Sequence, residues 1–220
     1  MAGDCLPLAL LGVYWLLYFI VHSLLASLGA KRAVARRWPA LMPAYRLVYN
    51  ALAVLMLLPG LVWIYACPGP VLWSWSGAAW WWAQGLALLA VAGFLVTLKG
   101  YDGSEFIGLR QWRDGEQRVE DQEQFKLSPL HRFVRHPWYA LGLVLVWTRE
   151  MTAAWFLTAI LVTLYFVLGS RMEERKLEAY HGEIYREYRR RVPGLIPLPW
   201  RWLGKNEARR LVSRTGRRAS

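Results

Sequence analysis

Cysteine is nearly absent from this chain. Cys5 and Cys67 are the only two among 220 residues; they could face one oxidising compartment, but two make no disulfide framework. Histidine is scarce as well, and His22, His131, His136 and His181 fall into no His-x3-His or Cys-x2-Cys spacing, which argues against a structural metal. Carboxylates are outnumbered, 15 Asp and Glu against 27 Lys and Arg, for a formal net charge of +12. No repeat and no low-complexity segment occurs. No aromatic residue interleaves with the basic run after Trp202, which makes nucleic acid a poor partner. What the chain holds in quantity is apolar: it is 56% hydrophobic with 14 Trp, the composition of a bilayer protein.

Residues 7–28 form an apolar run long enough for a hydrocarbon core of about 30 Å. The run lacks a basic start and its charges follow it, at Lys31, Arg32, Arg36 and Arg37, so it reads as a span, not a cleaved signal peptide, with the loop after it cytoplasmic. A second span covers 45–66, with a kink expected at Pro59-Gly60. The uncharged connector 67–77 belongs outside. A third span, 78–99, opens on the interfacial belt Trp80-Trp81-Trp82 and closes on Lys99. Residues 100–136 make a long polar loop, which implies local structure or a task. Two apolar stretches follow, 138–148 and 152–170, divided by Arg149-Glu150. The first is too short to span alone, so a thin, tilted hairpin is expected, or a fourth helix beginning before Arg135.

The expectation is an all-α, polytopic membrane protein of about five transmembrane helices, amino terminus outside and carboxyl terminus inside. Leu177, Tyr180, Ile184, Tyr188 and Val192 then recur at helical spacing, predicting a cytoplasmic amphipathic helix over about 172–191 that Pro193 stops. It could lie on lipid or cover a site. Residues 1–200 read as one integral-membrane domain. Residues 201–220 read as a basic, disordered tail, with Arg201, Lys205, Arg209, Arg210, Arg214, Arg217 and Arg218 against Glu207 alone. Such a tail is either topogenic or drawn to anionic lipid head groups, at about 1 kcal/mol per basic residue.

Two polar clusters flank the hairpin: Arg135-His136-Pro137 before it and Glu173-Glu174 after it. Taken alone, an interfacial Arg and His snorkel, and paired acids on a helix pair with Arg171, Arg175 and Lys176. If residues 137–170 enter the membrane and return, the clusters stand side by side. A proline-started helix N-terminus suits an anion, and two carboxylates suit an ammonium, a sulfonium or ribose hydroxyls. A zwitterionic, positively charged cosubstrate needs both. The alternative is a non-catalytic membrane scaffold in which the groups only pair with each other.

Arg-His-Pro-x-Tyr, a hairpin, Glu-Glu-x-x-Leu, then Tyr185-x-x-Tyr188 and Val192-Pro193-Gly194-Leu195-Ile196-Pro197 resembles the integral-membrane methyltransferases, a group that includes the isoprenylcysteine carboxyl methyltransferases and the phospholipid N-methyltransferases. The matched block spans about 131–199. In the front half, His22-Ser23-Leu24-Leu25-Ala26-Ser27, Tyr45-Arg46-Leu47-Val48-Tyr49-Asn50 and Gly108-Leu109-Arg110-Gln111 are similar to the membrane methanethiol S-methyltransferases. One position departs: where the pattern has glycine four residues after the proline, this chain has Leu141, with Gly142 following.

The resemblance implies S-adenosylmethionine as cosubstrate, held by Arg135, His136, Pro137, Tyr139, Glu173 and Glu174, with Tyr185 and Tyr188 in the closing helix. It implies a small or lipid-like methyl acceptor, a thiol first; an isoprenylcysteine carboxylate or a phospholipid amine is the alternative. It also implies a membrane of the bacterial inner-membrane type. His22, Arg46 and Arg110 are the catalytic candidates on the acceptor side, with Tyr49 and Asn50 beside them. His22 and Arg46 could meet across the first loop, and either could equally serve helix–helix packing.

Overall fold

The computed structural model describes residues 8–98, 102–116, 125 and 127–216; Cys5, Lys99 and the last four residues lie outside them. In chain order its helices are α1 (Leu8–Ala26), α2 (Leu28–Arg37), α3 (Met42–Ala66), α4 (Gly77–Leu98), α5 (Gly103–Ile107), α6 (Leu109–Arg113), α7 (Pro137–Trp147), α8 (Ala153–His181), α9 (Glu183–Arg191) and α10 (Lys205–Gly216). Among the described residues, strand is confined to β1 (Val71–Trp73) and β2 (Met151–Thr152), which pair antiparallel.

Among the described residues, four helices are long and apolar enough to cross a membrane: α1, α3 with the turn before it, α4 and α8. The fold is all-α and polytopic, as the composition predicts. The fifth expected segment is the short helix α7, 11 residues, about 16 Å at helical rise. It starts at Pro137 and not upstream of Arg135. Proline tolerates the first helical position but keeps the residue before it out of the α region, and His136 lies outside that region at φ −121°, ψ 71°.

The helices wear their large apolar side chains outward. Leu17, Ile20 and Leu24 on α1, Leu55 and Val62 on α3, and Leu88 and Leu89 on α4 are exposed, while α4 buries Ala83, Ala87 and Ala90. Small residues inside and Leu outside is the pattern of a helix solvated by lipid.

The chain forms two compact units. The first comprises residues 1–75, 101–122 and 150–161. Its centre is Trp15, packed with Leu11, Ile64 and Ala154 and donating its indole N–H to Thr158 Oγ1 at 2.9 Å. Gly60 leaves room for that ring, since a Cβ there would lie 2.8 Å from it; α3 runs unbroken through Pro59 to Ala66. The first loop is mostly helix α2, capped by the Ser27 hydroxyl.

In this unit the α5–α6 pair is seated on α3 through Gly108. It sits at φ +93°, and a Cβ there would come within 2.6 Å of the Leu47 backbone nitrogen. Gly108→Ala is expected to cost at least the 1–2 kcal/mol or so of a left-handed L-residue, plus the displacement of a backbone that cannot yield. Faster proteolysis of residues 102–116 would report it. Gly115→Ala is the control: Gly115 has φ +64° but open space at its Cβ, so it carries the backbone penalty alone.

The second unit comprises residues 76–100, 123–149 and 162–220. Here α4 and α7 run antiparallel, with Phe94 against Trp138 and Leu141 over Gly93. The lower part of α8 returns alongside α7. Trp147 donates to Thr163 at 3.0 Å, Phe166 abuts Gly142, and Tyr139 stacks on Phe166 at 4.8 Å. The core below is Phe125, Ile184, Tyr185, Tyr188, Val192, Leu203, Ala208 and Leu211.

Two expectations for this unit change. The amphipathic helix is not continuous, because Gly182, at φ +56°, ends α8 and starts α9. Residues 205–216, expected within a disordered tail, form α10 instead. Ala208 and Leu211, three apart, reach the core with Leu203, and Glu207 accepts from the Gly204 amide at 2.8 Å as a cap.

Candidate functional site

The α7–α8 hairpin sets Arg135 and His136 against Glu173 and Glu174, all within the second unit. Glu174 is buried. Its Oε1 receives Arg135 Nε at 2.8 Å and Nη2 at 2.7 Å, and His136 Nε2 at 3.1 Å; its Oε2 lies 3.4 Å from Arg189 Nε. Glu173 is half-exposed and meets His136 Nδ1 at 3.4 Å. Arg135 gives its other donors to the carbonyls of Arg189, at 3.0 Å, and Val192. Its guanidinium therefore clamps protein to protein.

The motif after α9 closes back on the same place. Arg135 and His136 donate their amides to the Pro193 and Gly194 carbonyls at 2.8 and 3.1 Å, and Leu203 donates to the Arg132 carbonyl at 2.9 Å. Arg132 Nε returns a bond to Leu203 at 2.8 Å. Pro137 opens α7 immediately after His136, which sets the positive end of the helix beside the cluster. Tyr139 stacks between His136, at 5.5 Å and 8°, and Phe166.

The two tyrosines divide in role. Tyr188 donates its hydroxyl to the His131 carbonyl at 2.7 Å, a packing bond. The Tyr185 hydroxyl is buried and has no hydrogen-bond partner among the described residues. Burial, and then the charge of Glu174, push its pKa up, so it remains a proton donor. A buried, unsatisfied hydroxyl costs about 1–3 kcal/mol, so it is a ready donor to a further partner.

Burial alone would lower the pKa of His136. The hydrogen bonds and charges of Glu173 and Glu174 outweigh it and raise the ring above its ordinary value. His131 goes the other way, down to about 4, through burial and then the charge of His136. Its Nδ1 accepts from the Ser128 amide at 3.2 Å, an arrangement only the neutral ring permits. The signs decide the acid limb. His136, raised, contributes stability that is complete below its ordinary 6.5 and is lost only as pH rises through its folded value. His131, lowered, must charge on unfolding, so stability falls as pH drops from 6.5 toward 4, by up to about 3 kcal/mol. Melts across that window should show the decline, and His131→Asn, which keeps an acceptor for Ser128, should flatten it.

In the first unit, His22 Nε2 and the Tyr49 hydroxyl lie 2.8 Å apart, at one end of an apolar crevice lined by Tyr18, Leu25, Leu52 and Met56. The partner His22 finds is Tyr49, one turn beyond Arg46. Arg46 carries Gly108 against its Cβ. Asn50 donates to the Phe106 and Ile107 carbonyls at 3.2 and 3.1 Å, so it ties α5 to α3. Arg110 is paired with Glu105 at 2.9 Å and Asp102 at 3.7 Å. The three front motifs are thus neighbours.

Sequence reading passed over Arg189 and Phe166. Arg189 stands four residues after Tyr185, a helical spacing that could have placed it on the same face. Phe166 gave no signal beyond its hydrophobicity. Leu141, the departure from the family pattern, faces α4, and Gly142 is the position that admits α8.

No family model matches the chain, and no solved structure matches it. It is similar to methanethiol S-methyltransferases of several bacteria. That of Pseudomonas sp. (strain GM41(2012)) is 32% identical over 207 residues, 84% of this chain and 76% of that protein. Methanethiol S-methyltransferase 2 of Bradyrhizobium diazoefficiens is 35% identical over 184 residues, 82% of this chain and 70% of that protein. That of Mycobacterium tuberculosis is 34% identical over 206 residues, 88% and 78%.

Proposed function

The chain belongs to the methanethiol S-methyltransferase family and is a membrane methyltransferase, and from that premise we propose that it moves the methyl group of S-adenosylmethionine onto the sulfur of a small thiol, methanethiol or a near homologue. One observation carries the donor side: Arg135, His136, Glu173 and Glu174 converge beside a buried Tyr185 hydroxyl that has no partner among the described residues.

These residues fit such a donor. The Glu173 carboxylate, half open to solvent, suits an ammonium or ribose hydroxyls. The α7 N-terminus suits a carboxylate, and the Tyr185 hydroxyl donates. Bound there, S-adenosylmethionine supplies a methyl group already activated on a sulfonium, so placement matters more than acid–base power. Arg135 acts as a positioning residue, since it holds Glu174 and the 192–194 turn. His136 stacks on Tyr139 and fixes its ring against Phe166.

The basic loops support a topology with the amino terminus outside and the carboxyl terminus in the cytoplasm of an inner-membrane type bilayer, and the charge of the basic carboxyl-terminal segment favours anionic head groups. Purified protein incubated with methyl-labelled S-adenosylmethionine and a panel of thiols, prenylcysteine analogues and phospholipids is expected to yield labelled thioether alone. Label found only in a methyl ester or a lipid head group overturns the acceptor, and no transfer to any acceptor returns the site to a scaffold.

A further inference from the structure

Residues 195–202 form a strap tied at both ends. Pro193 and Gly194 accept backbone bonds from Arg135 and His136, and Leu203 exchanges bonds with Arg132. Between these ties the large side chains turn outward: Ile196 is 71% exposed, Trp200 74% and Trp202 51%. Phe133, itself exposed, stacks on Trp202 at 6.3 Å and 23°. Water is a poor neighbour for four such exposed groups on the strap and the residue stacked against it. The backbone fits a drier medium too, because Pro197 and Pro199 remove two N–H groups that would otherwise need partners.

Two further observations say what covers these groups. They are continuous with membrane-spanning structure, since the turn Pro129–Arg132 packs against α4 and Phe133 lies just ahead of α7. Their flank is cationic: Lys205, Arg209 and Arg210 on α10 are exposed. Tryptophan with basic residues is the composition of a bilayer interface.

We infer that the 195–202 strap, with Phe133 beneath it, docks in the anionic head-group layer of the bilayer, Trp200 and Ile196 inserted and the start of α10 neutralising lipid phosphates. The strap and the donor-site clamp share one short segment, so the bilayer becomes one wall of the support that holds Arg135. This surface stands on the membrane reading alone and does not require that the donor be S-adenosylmethionine.

The test uses the full chain carrying Cys5→Ser and Cys67→Ser, spin-labelled in turn at Ile196→Cys, Trp200→Cys and, as the aqueous reference, Glu183→Cys. Each is reconstituted in nanodiscs of phosphatidylcholine with or without phosphatidylglycerol. Labels at 196 and 200 are expected to collide several-fold more with oxygen than with a water-soluble nickel chelate, relative to 183, and the preference should deepen with phosphatidylglycerol. Charge reversal by Lys205→Glu, Arg209→Glu and Arg210→Glu should abolish that deepening. Nickel access at 196 and 200 equal to that at 183 overturns the inference, and equal depth in both lipids overturns its anionic part. Dipolar broadening that disappears on dilution with unlabelled protein would show that a second copy covers the strap, which overturns it as well.

Discussion

Arg135→Ala is expected to abolish methyl transfer and to destabilise the protein itself. The guanidinium holds the buried Glu174 carboxylate by two contacts, at 2.8 and 2.7 Å, and supplies donors to the Arg189 and Val192 carbonyls. Removing it leaves a buried carboxylate with only His136 and a half-exposed Arg189, and the 192–194 turn loses the side chain that gathers it. Breaking a buried pair from one side costs about 3–5 kcal/mol. Lysine should rescue little, because one ammonium cannot serve a carboxylate and two carbonyls in a fixed fork. The double variant Arg135→Ala/Glu174→Gln should regain stability, since it removes the stranded charge, without regaining transfer. A thermal melt in detergent and a transfer assay on the three variants check this. If Arg135→Ala melts like the parent, the clamp is not structural.

What was legible in the chain follows from how each signal is carried. The meeting of Arg135-His136 with Glu173-Glu174 could be inferred because an antiparallel return forces the ends of a hairpin together, whatever packs inside it. Pro137 marked the helix start by the same local logic, and the spans were set by apolar length. The break at Gly182 was less visible: Leu177, Ile184 and Tyr188 keep helical spacing across it, so periodicity read one helix where the chain makes two. The outward placement of Tyr180 is the trace of that break. Helix α10 was masked by its own charge. Its buried face amounts to Ala208 and Leu211, and only the tertiary contact with α9 shows that so narrow a stripe suffices.

The front half shows the converse limit. His22, Tyr49, Asn50 and Gly108 come together because α1 and α3 pack through Trp15 and Gly60, and because Gly108 allows α5–α6 to sit on Leu47. Each residue was conspicuous as a polar group or glycine near a span. Their partners were not, since His22 beside Tyr49 instead of Arg46 depends on a helix rotation that hydrophobic length does not encode.

Glu173→Gln should separate donor binding from fold. Unlike Glu174, the Glu173 carboxylate is half-exposed and approaches His136 only to 3.4 Å; surface changes of this kind stay within about 0.5 kcal/mol of the parent stability. A ligand ammonium or ribose hydroxyl on that carboxylate gains a charge-assisted bond worth about 1.5–3 kcal/mol, so the dissociation constant for S-adenosylmethionine should rise by about ten- to a hundredfold. The loss should appear as weaker donor binding, with the thiol KM little changed. His136 loses one of the two carboxylates that raise its pKa, so the alkaline limb of the binding profile should move to lower pH. Calorimetric titration with S-adenosylhomocysteine across pH, beside a melt of the unliganded variant, measures both. Unchanged affinity with an unchanged melt would remove Glu173 from the donor site, whereas weaker binding that merely tracks a lowered melt would give it the same structural part as Glu174.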